Sequence, residues 1–145
     1  MFLPLYVDLH GKRVLVIGLG KVGKRRARKL SDAGAEVTAI DQKKANVKGI
    51  KFIRKKLTPE SLPLFRGYFL VVASTDNTEL NEAIAKKAMR EGCLVNRADL
   101  HDGGDVIFPA TVKVGEGVLS FSTFGKNPKI SKRVKEVLER ELSRG

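Results

Sequence analysis

The chain has 145 residues, of which 42% are hydrophobic and 30% charged, and its formal net charge is +12. That size and balance fit one globular domain with a short appendage and exclude a disordered chain. No apolar run approaches the roughly 20 residues of a membrane helix, and a single cysteine, Cys93, excludes an internal disulfide, so a reducing cytoplasm is the expected setting.

The opening stretch MFLPLYVDLHGKR places Asp8 among apolar residues and has neither a basic leader nor a small-residue cleavage site. It is therefore expected not to be a signal peptide. Residues 13–18, RVLVIG, are a run of β-branched residues and leucine closed by glycine, the pattern of a strand buried on both faces. Beyond the glycines, Val22, Ala27, Leu30 and Ala33 recur near helical spacing, with lysines and arginines on the other face and Gly34 as the stop. Residues 35–41 read as a second strand, 50–53 as a third and 68–74 as a fourth. Between the last two, TPESLPLF opens on Thr58 as a cap and Pro59 at the first helical position, so a short helix is expected. A longer helix is predicted from about residue 77 to 90, with Leu80, Ala83, Ile84, Ala88 and Met89 as its apolar stripe. Residues 93–98, CLVNRA, form the fifth strand, with Cys93 as a small core residue.

This alternation predicts an α/β fold, a Rossmann-type doubly wound parallel sheet, over residues 1–99. Residues 100–145 differ. DLHDGGD is loop-like, and VIFPATVKVGEGVLSFST reads as two or three strands with a hairpin turn at 115–117. A last helix is capped by Asn127, begins at Pro128 and carries Ile130, Val134, Val137, Leu138 and Leu142 as its stripe. One β-hairpin and one amphipathic helix cannot bury both faces alone. This appendage is expected to pack on the first domain or on a second copy, and the favoured reading is a homodimer.

GLGKVG, with Gly18, Gly20 and Gly23, fits the dinucleotide fingerprint G-x-G-x-x-G in its proper context, after a buried strand and at the start of a helix. Gly18 permits the tight turn, Gly20 lets a pyrophosphate approach the backbone, and Gly23 lets helix and strand pack. The amides around Lys21 and Val22 then face the phosphates. Asp41 ends the second strand 18 positions after Gly23, where a carboxylate accepts from ribose hydroxyls and disfavours a 2′-phosphate. NAD is therefore expected over NADP, although Lys43 and Lys44 could pair with such a phosphate. Gln42 and Lys43 complete that end of the site. Ser74 and Thr75, after the fourth strand, offer hydroxyls to the cofactor, while Asp76 is read as either a helix cap or a ligand contact. His101 lies near Asp99 and Asp102 but lacks partners at metal-ligand spacing. No metal site is expected, and His101 reads as a surface-loop residue.

The positive charge gathers in three places: Lys21 to Lys29, the acid-free stretch 43–56, and residues 125–135. Such clusters favour an anionic partner, whether nucleic acid, acidic lipid or a polyanionic small molecule; a lysine-rich solvated surface is the plain alternative.

Taken in order, FLPLYVDLHGKRVLVIGLGKVGKRRARKL, VVASTDNTELNEAI, LVNRADLHDGGDVIFPATV and STFGKNPKISKRVKEVLE resemble the NAD-dependent dehydrogenase portion of siroheme synthases. Stand-alone members of that family are precorrin-2 dehydrogenases. The resemblance runs along nearly the whole chain, and N-x-x-D … D-x-I-F-P-A is its most specific part. It implies an enzyme that oxidises precorrin-2 to sirohydrochlorin with NAD⁺; some members also insert Fe²⁺ to make siroheme. The implied substrate is an anionic tetrapyrrole, which gives the basic clusters a partner without nucleic acid or membrane.

The resemblance also implies that Asp99 is the catalytic aspartate, a general base for the leaving proton. Read from the residues alone, without the resemblance, the favoured reading of Asp99 is a loop aspartate bonded to backbone amides. By the same resemblance Asn96 orients the nicotinamide or a substrate carboxylate, and Asp105 is structural. Thr123, Gly125 and Lys126 fall in a turn that would cradle substrate carboxylates beside a helix start. Leu19 and Gly23 depart from the family's G-G-G-x-V-A loop. The sequence ends at Gly145, where many relatives continue with a helical segment, which leaves closure of the site and iron insertion open.

Two rival readings use the same residues. An NAD-sensing regulatory domain of a potassium transport system shares the glycine loop, the acidic strand end and a segment like VVASTDNTELNEAIAKKA, but has no use for RADLHDGGDVIFPA. A nucleic-acid binder rests on charge alone, without a helix-turn-helix, zinc-finger or aromatic RNA-binding signature.

Overall fold

The computed structural model describes residues 1–143. In chain order it contains β1 (Arg13–Ile17), α1 (Lys21–Asp32), β2 (Glu36–Asp41), β3 (Lys51–Arg54), β4 (Leu70–Ala73), α2 (Thr78–Arg90) and β5 (Leu94–Arg97). A hairpin, β6 (Ala110–Val114) and β7 (Gly117–Phe121), and α3 (Pro128–Leu142) follow. The first five strands make one parallel sheet in the order β3-β2-β1-β4-β5. This is the doubly wound arrangement that the alternating pattern predicts, and its direction of winding reverses between β1 and β4.

β1 shows why so short a strand suffices. Val14 and Val16 point to one face and Leu15 and Ile17 to the other, and none is more than 2% exposed. Leu15 and Ile17 join Val71, Ala73 and Val95 in a core with Leu80, Ile84 and Ala88 of α2. Ala27 and Leu30 are the buried apolar residues of α1. In α2, Met89 is turned outward, while Asn81 and Ala85 occupy inward positions.

The expected helix at residues 58–65 does not form. Pro63 removes a donor and biases Leu62 away from helical geometry, and the Thr58 amide and hydroxyl bond to Ser61 Oγ at 2.9 and 3.0 Å. Phe65 then plugs the core, fully buried, with its amide donating to Glu91 Oε2 at 2.9 Å and its carbonyl accepting from Cys93 Sγ at 3.1 Å. Burying a side chain of that size contributes about 2–3 kcal/mol, more than one marginal helical turn offers. Cys93 is accordingly a core residue. Burial pushes its thiol upward, and the Glu91 charge adds to the effect.

β5 is an edge strand, and the loop after it doubles back to cover it. The Asp105 and Val106 amides donate to Val95 O at 2.7 and 3.0 Å, and Asp105 Oδ2 accepts from the Val95 amide at 3.1 Å. Glycines permit this close approach: a Cβ on Gly104 would lie 2.5 Å from Val95 O, and one on Gly103 2.6 Å from Arg97 Cδ. Residues 99–106 therefore belong physically with the sheet, and the first compact unit runs from Leu3 to Val106.

The second unit comprises Met1–Phe2 and the chain from Ile107 onward. Two strands form here rather than three, turning at Gly115, whose φ is +57°. α3 begins as expected, with Pro128 in its first turn and Asn127 Oδ1 accepting from the Ile130 amide at 3.1 Å. Ser131, Val134, Lys135 and Leu138 are half-buried, whereas Ile130, Val137 and Leu142 are exposed, so the apolar stripe is wider than the part covered. Val118 and Leu119, on opposite faces of β7, are also exposed. Arg144 and Gly145, the end of the expected appendage, lie outside the described residues.

Candidate active site

A cavity of about 520 Å³ opens at the carboxyl ends of β1, β2 and β4. Gly18, Leu19, Gly20, Lys21, Val22, Asp41, Gln42, Lys43, Ser74 and Thr75 are among its lining residues. All the expected cofactor residues except Gly23 thus face one space. Gly23 lies beneath it, where a Cβ would run into the carbonyl oxygen of Gly18. Gly18 has φ +94°, and a Cβ there would lie 2.5 Å from Ser74 O. Gly20 differs: a Cβ would meet nothing within 4 Å. Two glycines are therefore required by the protein's own packing, while the third leaves open room for something that approaches the backbone.

The start of α1 fits a dinucleotide. Gly20 is its N-cap, no side chain caps the first amides, and no acid stands in the first turn, so these donors are available to a phosphate group. Six lysines line the cavity (Lys21, Lys24, Lys43, Lys44, Lys55 and Lys56) against Asp41 and Asp76, a field suited to an anion.

Asp41 accepts from the Leu19 amide at 2.6 Å and from the Lys43 amide at 2.8 Å. It fastens the glycine loop to the end of β2, and each oxygen keeps a further lone pair for a ribose hydroxyl. The Ser74 hydroxyl donates within the protein, lying 2.8 Å from Gly18 O and 3.1 Å from Ile17 O, and so holds the turn. Thr75 Oγ1 lies 2.6 Å from Asn81 Oδ1 and 3.1 Å from Asn77 O. Both hydroxyls line the cavity with their protons committed within the protein, so what they offer a cofactor is acceptor capacity. Asp76 is not the cap of α2. Asn77 caps it, with Oδ1 accepting from the Leu80 amide at 3.1 Å.

Asp99 follows β5 and is gripped by Arg97, which sequence reasoning overlooked. Arg97 Nε reaches Asp99 Oδ1 at 3.1 Å and Nη2 reaches Oδ2 at 2.8 Å, a two-pronged ion pair. The arginine side chain is 5% exposed and the carboxylate 21%, so only the acid retains access to solvent. Burial pushes the Asp99 carboxyl upward, but hydrogen bonds from Arg97 and Asn81 together with the Arg97 charge outweigh it and hold the group below its ordinary range. The signal that could have found Arg97 is an arginine ending a buried strand, two residues before an acid.

Asn96 is 2% exposed, with Oδ1 accepting from Arg26 at 2.6 Å and Nδ2 donating to Val106 O at 2.8 Å. These two bonds join α1, β5 and the covering loop through Asn96, and its oxygen and nitrogen each keep one further hydrogen-bonding position. Asp105 bonds to β5, as the structural reading anticipated. His101 and Asp102 are exposed, and among the described residues no group of three His, Cys, Asp or Glu side chains gathers in a way that could hold a metal.

In the second unit, Thr123 organises the turn before α3. Its Oγ1 accepts from the Asn127 amide at 2.9 Å and its carbonyl from the Lys126 amide at 3.1 Å. Phe124 sits in the left-handed region at φ 55°, followed by Gly125 at 78°, and its amide donates to Ser122 Oγ at 3.0 Å. The Phe124, Lys126, Asn127 and Ile130 amides all donate inside the turn. The expected cradle of free amides is thereby reduced to the exposed Lys126 ammonium and the backbone at Gly125.

A parallel sheet wound as β3-β2-β1-β4-β5, with an uncapped glycine turn at its switch point, defines a dinucleotide-binding protein of the Rossmann type. Residues 5–110 match the profile of a family described as "Putative NAD(P)-binding". The chain is 32% identical to precorrin-2 dehydrogenase of Methanosarcina barkeri over 148 aligned residues, covering 95% of this chain and 65% of that protein. It is 30% identical to the "Putative precorrin-2 dehydrogenase" of Methanocaldococcus jannaschii, covering 97% and 73%. The solved structure of SirC, a precorrin-2 dehydrogenase, superposes with a TM-score of 0.77 at 28% identity, covering 97% of this chain and 71% of that one. The chain belongs to the precorrin-2 dehydrogenase family of NAD(P)-binding proteins. It spans 65% of the Methanosarcina relative's length and 30% of a siroheme synthase that it also matches.

Proposed function

We propose that this chain oxidises precorrin-2 to sirohydrochlorin with NAD⁺, in the cytoplasm and as a homodimer. The observation that carries the reading is the pairing of an open glycine turn on a cavity of about 520 Å³ with an ionised carboxylate, Asp99, at the end of β5 on the same sheet. Gly18, Gly20, Lys21 and Val22 would hold the pyrophosphate, Asp41 with Gln42 and Lys43 the ribose, and Ser74 and Thr75 the wall between. When bound, NAD⁺ supplies the two-electron acceptor for a hydride that leaves the macrocycle.

Oxidation also releases one proton. Asp99 takes it: the carboxylate is ionised at neutral pH, fixed in orientation by Arg97, and exposed enough for a donor to reach. The Rossmann unit excludes water from one side of the glycine turn by packing Leu19 there, 5% exposed. The basic clusters of the sheet unit offer charge to a polycarboxylate macrocycle. The uncovered apolar residues of β7 and α3 support a second copy as the cover.

The test is an anaerobic mixture of protein, precorrin-2 and NAD⁺, followed by NADH absorbance and the sirohydrochlorin spectrum. NADH and sirohydrochlorin formed in equal amounts are expected, and no NADH above a protein-free control overturns the proposal. Insertion of Fe²⁺ into sirohydrochlorin is a separate reaction with iron as substrate, assayed by adding the metal to sirohydrochlorin with and without protein.

A further inference from the structure

The residues around Asp99 do more than pair a charge. Asn81, on the first turn of α2, is fully buried. Oδ1 accepts from the Thr75 amide at 3.1 Å and from Thr75 Oγ1 at 2.6 Å, and Nδ2 donates to Thr75 O at 3.0 Å. Asn81 also stands near enough to Asp99 to help hold its carboxyl below the ordinary range. A single side chain thus joins the dinucleotide cavity wall at Thr75 to the carboxylate beyond β5.

Arg97 completes the frame. Its stem passes where a Cβ on Gly103 would stand, and its fork takes both oxygens of Asp99. The carboxylate plane is fixed by the two prongs of Arg97. Only its 21% exposed portion remains for an incoming proton donor. The other charged groups facing Arg97 are Glu82 of α2 and Asp102 of the loop, and both are exposed. Among these partners Asp99 alone is held by two prongs.

We propose that Arg97 and Asn81 are positioning residues for proton removal: Arg97 fixes the plane and ionisation of Asp99, and Asn81 sets its place against the cavity wall through Thr75. This rests on the reading of Asp99 as the base. The geometry implies different failures for the two. Loss of the Arg97 fork frees the carboxylate to rotate and removes the cation that keeps it ionised. Loss of Asn81 leaves the Thr75 amide unpaired beside the cavity, so cofactor binding suffers as well.

The experiment compares Asp99→Asn, Arg97→Met, Arg97→Lys and Asn81→Ala in the full chain. It measures NAD⁺ affinity by calorimetry, kcat and KM for precorrin-2, and the pH dependence of kcat/KM. Asp99→Asn is expected to lose turnover while binding NAD⁺ within about threefold of the parent. Arg97→Met is expected to lose about ten- to a hundredfold in kcat with NAD⁺ affinity unchanged, and its acid limb moves to higher pH. Arg97→Lys keeps the acid limb near its original place, because the charge stays, but recovers only part of kcat, because the fork is lost. Asn81→Ala weakens NAD⁺ binding and kcat together.

Parental kcat and an unmoved acid limb in folded Arg97→Met overturn the inference while leaving Asp99 as the base. Should that variant fail to fold, parental kcat in Arg97→Lys overturns it equally. Full activity in Asp99→Asn removes the underlying reading instead, which separates the two failures.

Discussion

In the unit spanning residues 3–106, both faces of the sheet are covered: Val14, Val16, Val71, Val72 and Val95 have no exposed surface at all. In the hairpin and helix that follow, Val112 is the one buried hydrophobic residue among those described, and Val118, Leu119, Ile130, Val137 and Leu142 are exposed. Both regions carry clean amphipathic patterns. The first closes on itself because helices can be placed on either side of a parallel sheet. The second has one helix for a two-stranded ribbon, and geometry leaves apolar surface over. An amphipathic pattern tells which residues seek cover, whereas the count of covering elements tells whether they find it inside the chain.

The largest effect is expected inside the self-sufficient unit. Gly23→Ala drives a Cβ into the Gly18 carbonyl and should cost about 3 kcal/mol in urea unfolding. Gly20→Ala, with nothing within 4 Å, should change stability by less than about 0.5 kcal/mol yet lower NAD⁺ affinity at least tenfold in a titration. Equal unfolding midpoints for the two would break the distinction between packing glycine and binding glycine.

Asp99→Ala leaves the buried Arg97 without its counter-charge. A fully buried pair broken this way loses roughly 3–5 kcal/mol, and water reaching Asp99 reduces the expected loss to about 2 kcal/mol. Asp99→Asn, which keeps acceptor oxygen for Arg97, should lose less. The pH dependence follows from the depressed Asp99 carboxyl. Its contribution to stability is complete above the ordinary aspartate value of about 3.9 and disappears as pH falls from there through the lower folded value. Chemical unfolding of the parent and of Asp99→Asn should therefore converge on acidification.

The uncovered unit is tested by charge. Ile130→Glu with Val137→Glu should convert a dimer to a monomer in sedimentation velocity, while the sheet unit's stability moves by less than about 0.5 kcal/mol. A parent protein that is already monomeric at high concentration would remove the second copy as the cover. The smallest effect is expected at Asp41→Asn: relative affinity for NADP⁺ over NAD⁺ should rise by about 1 kcal/mol, a few-fold, read by competitive titration.

Much of the site was legible before any coordinates. Gly18, Gly20 and Asp41 sit at fixed offsets from a strand end, and such offsets are local consequences of backbone geometry. Arg97 and Asn81 were missed because each looks ordinary in sequence, a strand-end arginine and a helix asparagine. Their roles depend on β5 and α2 meeting behind Thr75, a contact between residues 6 and more positions apart. The resemblance assigns Asn96 to the ligand, whereas its bond to Arg26, 70 positions away, is set only by the fold. The absent helix at 58–65 has the same origin: a cap and a proline predict a turn of helix, and a distant cavity in the core took Phe65 instead.

From sequence alone came the order of strands and helices, the glycine turn, the acid that closes it and the family that shares them, since period, spacing and backbone permissiveness are properties of neighbouring residues. Tertiary structure alone decided which hydroxyls and amides were already occupied, which arginine grips the carboxylate and which apolar faces stay uncovered. Those outcomes depend on where far-separated segments meet, and hydrogen-bonding capacity and buried area can be assigned only after they have met.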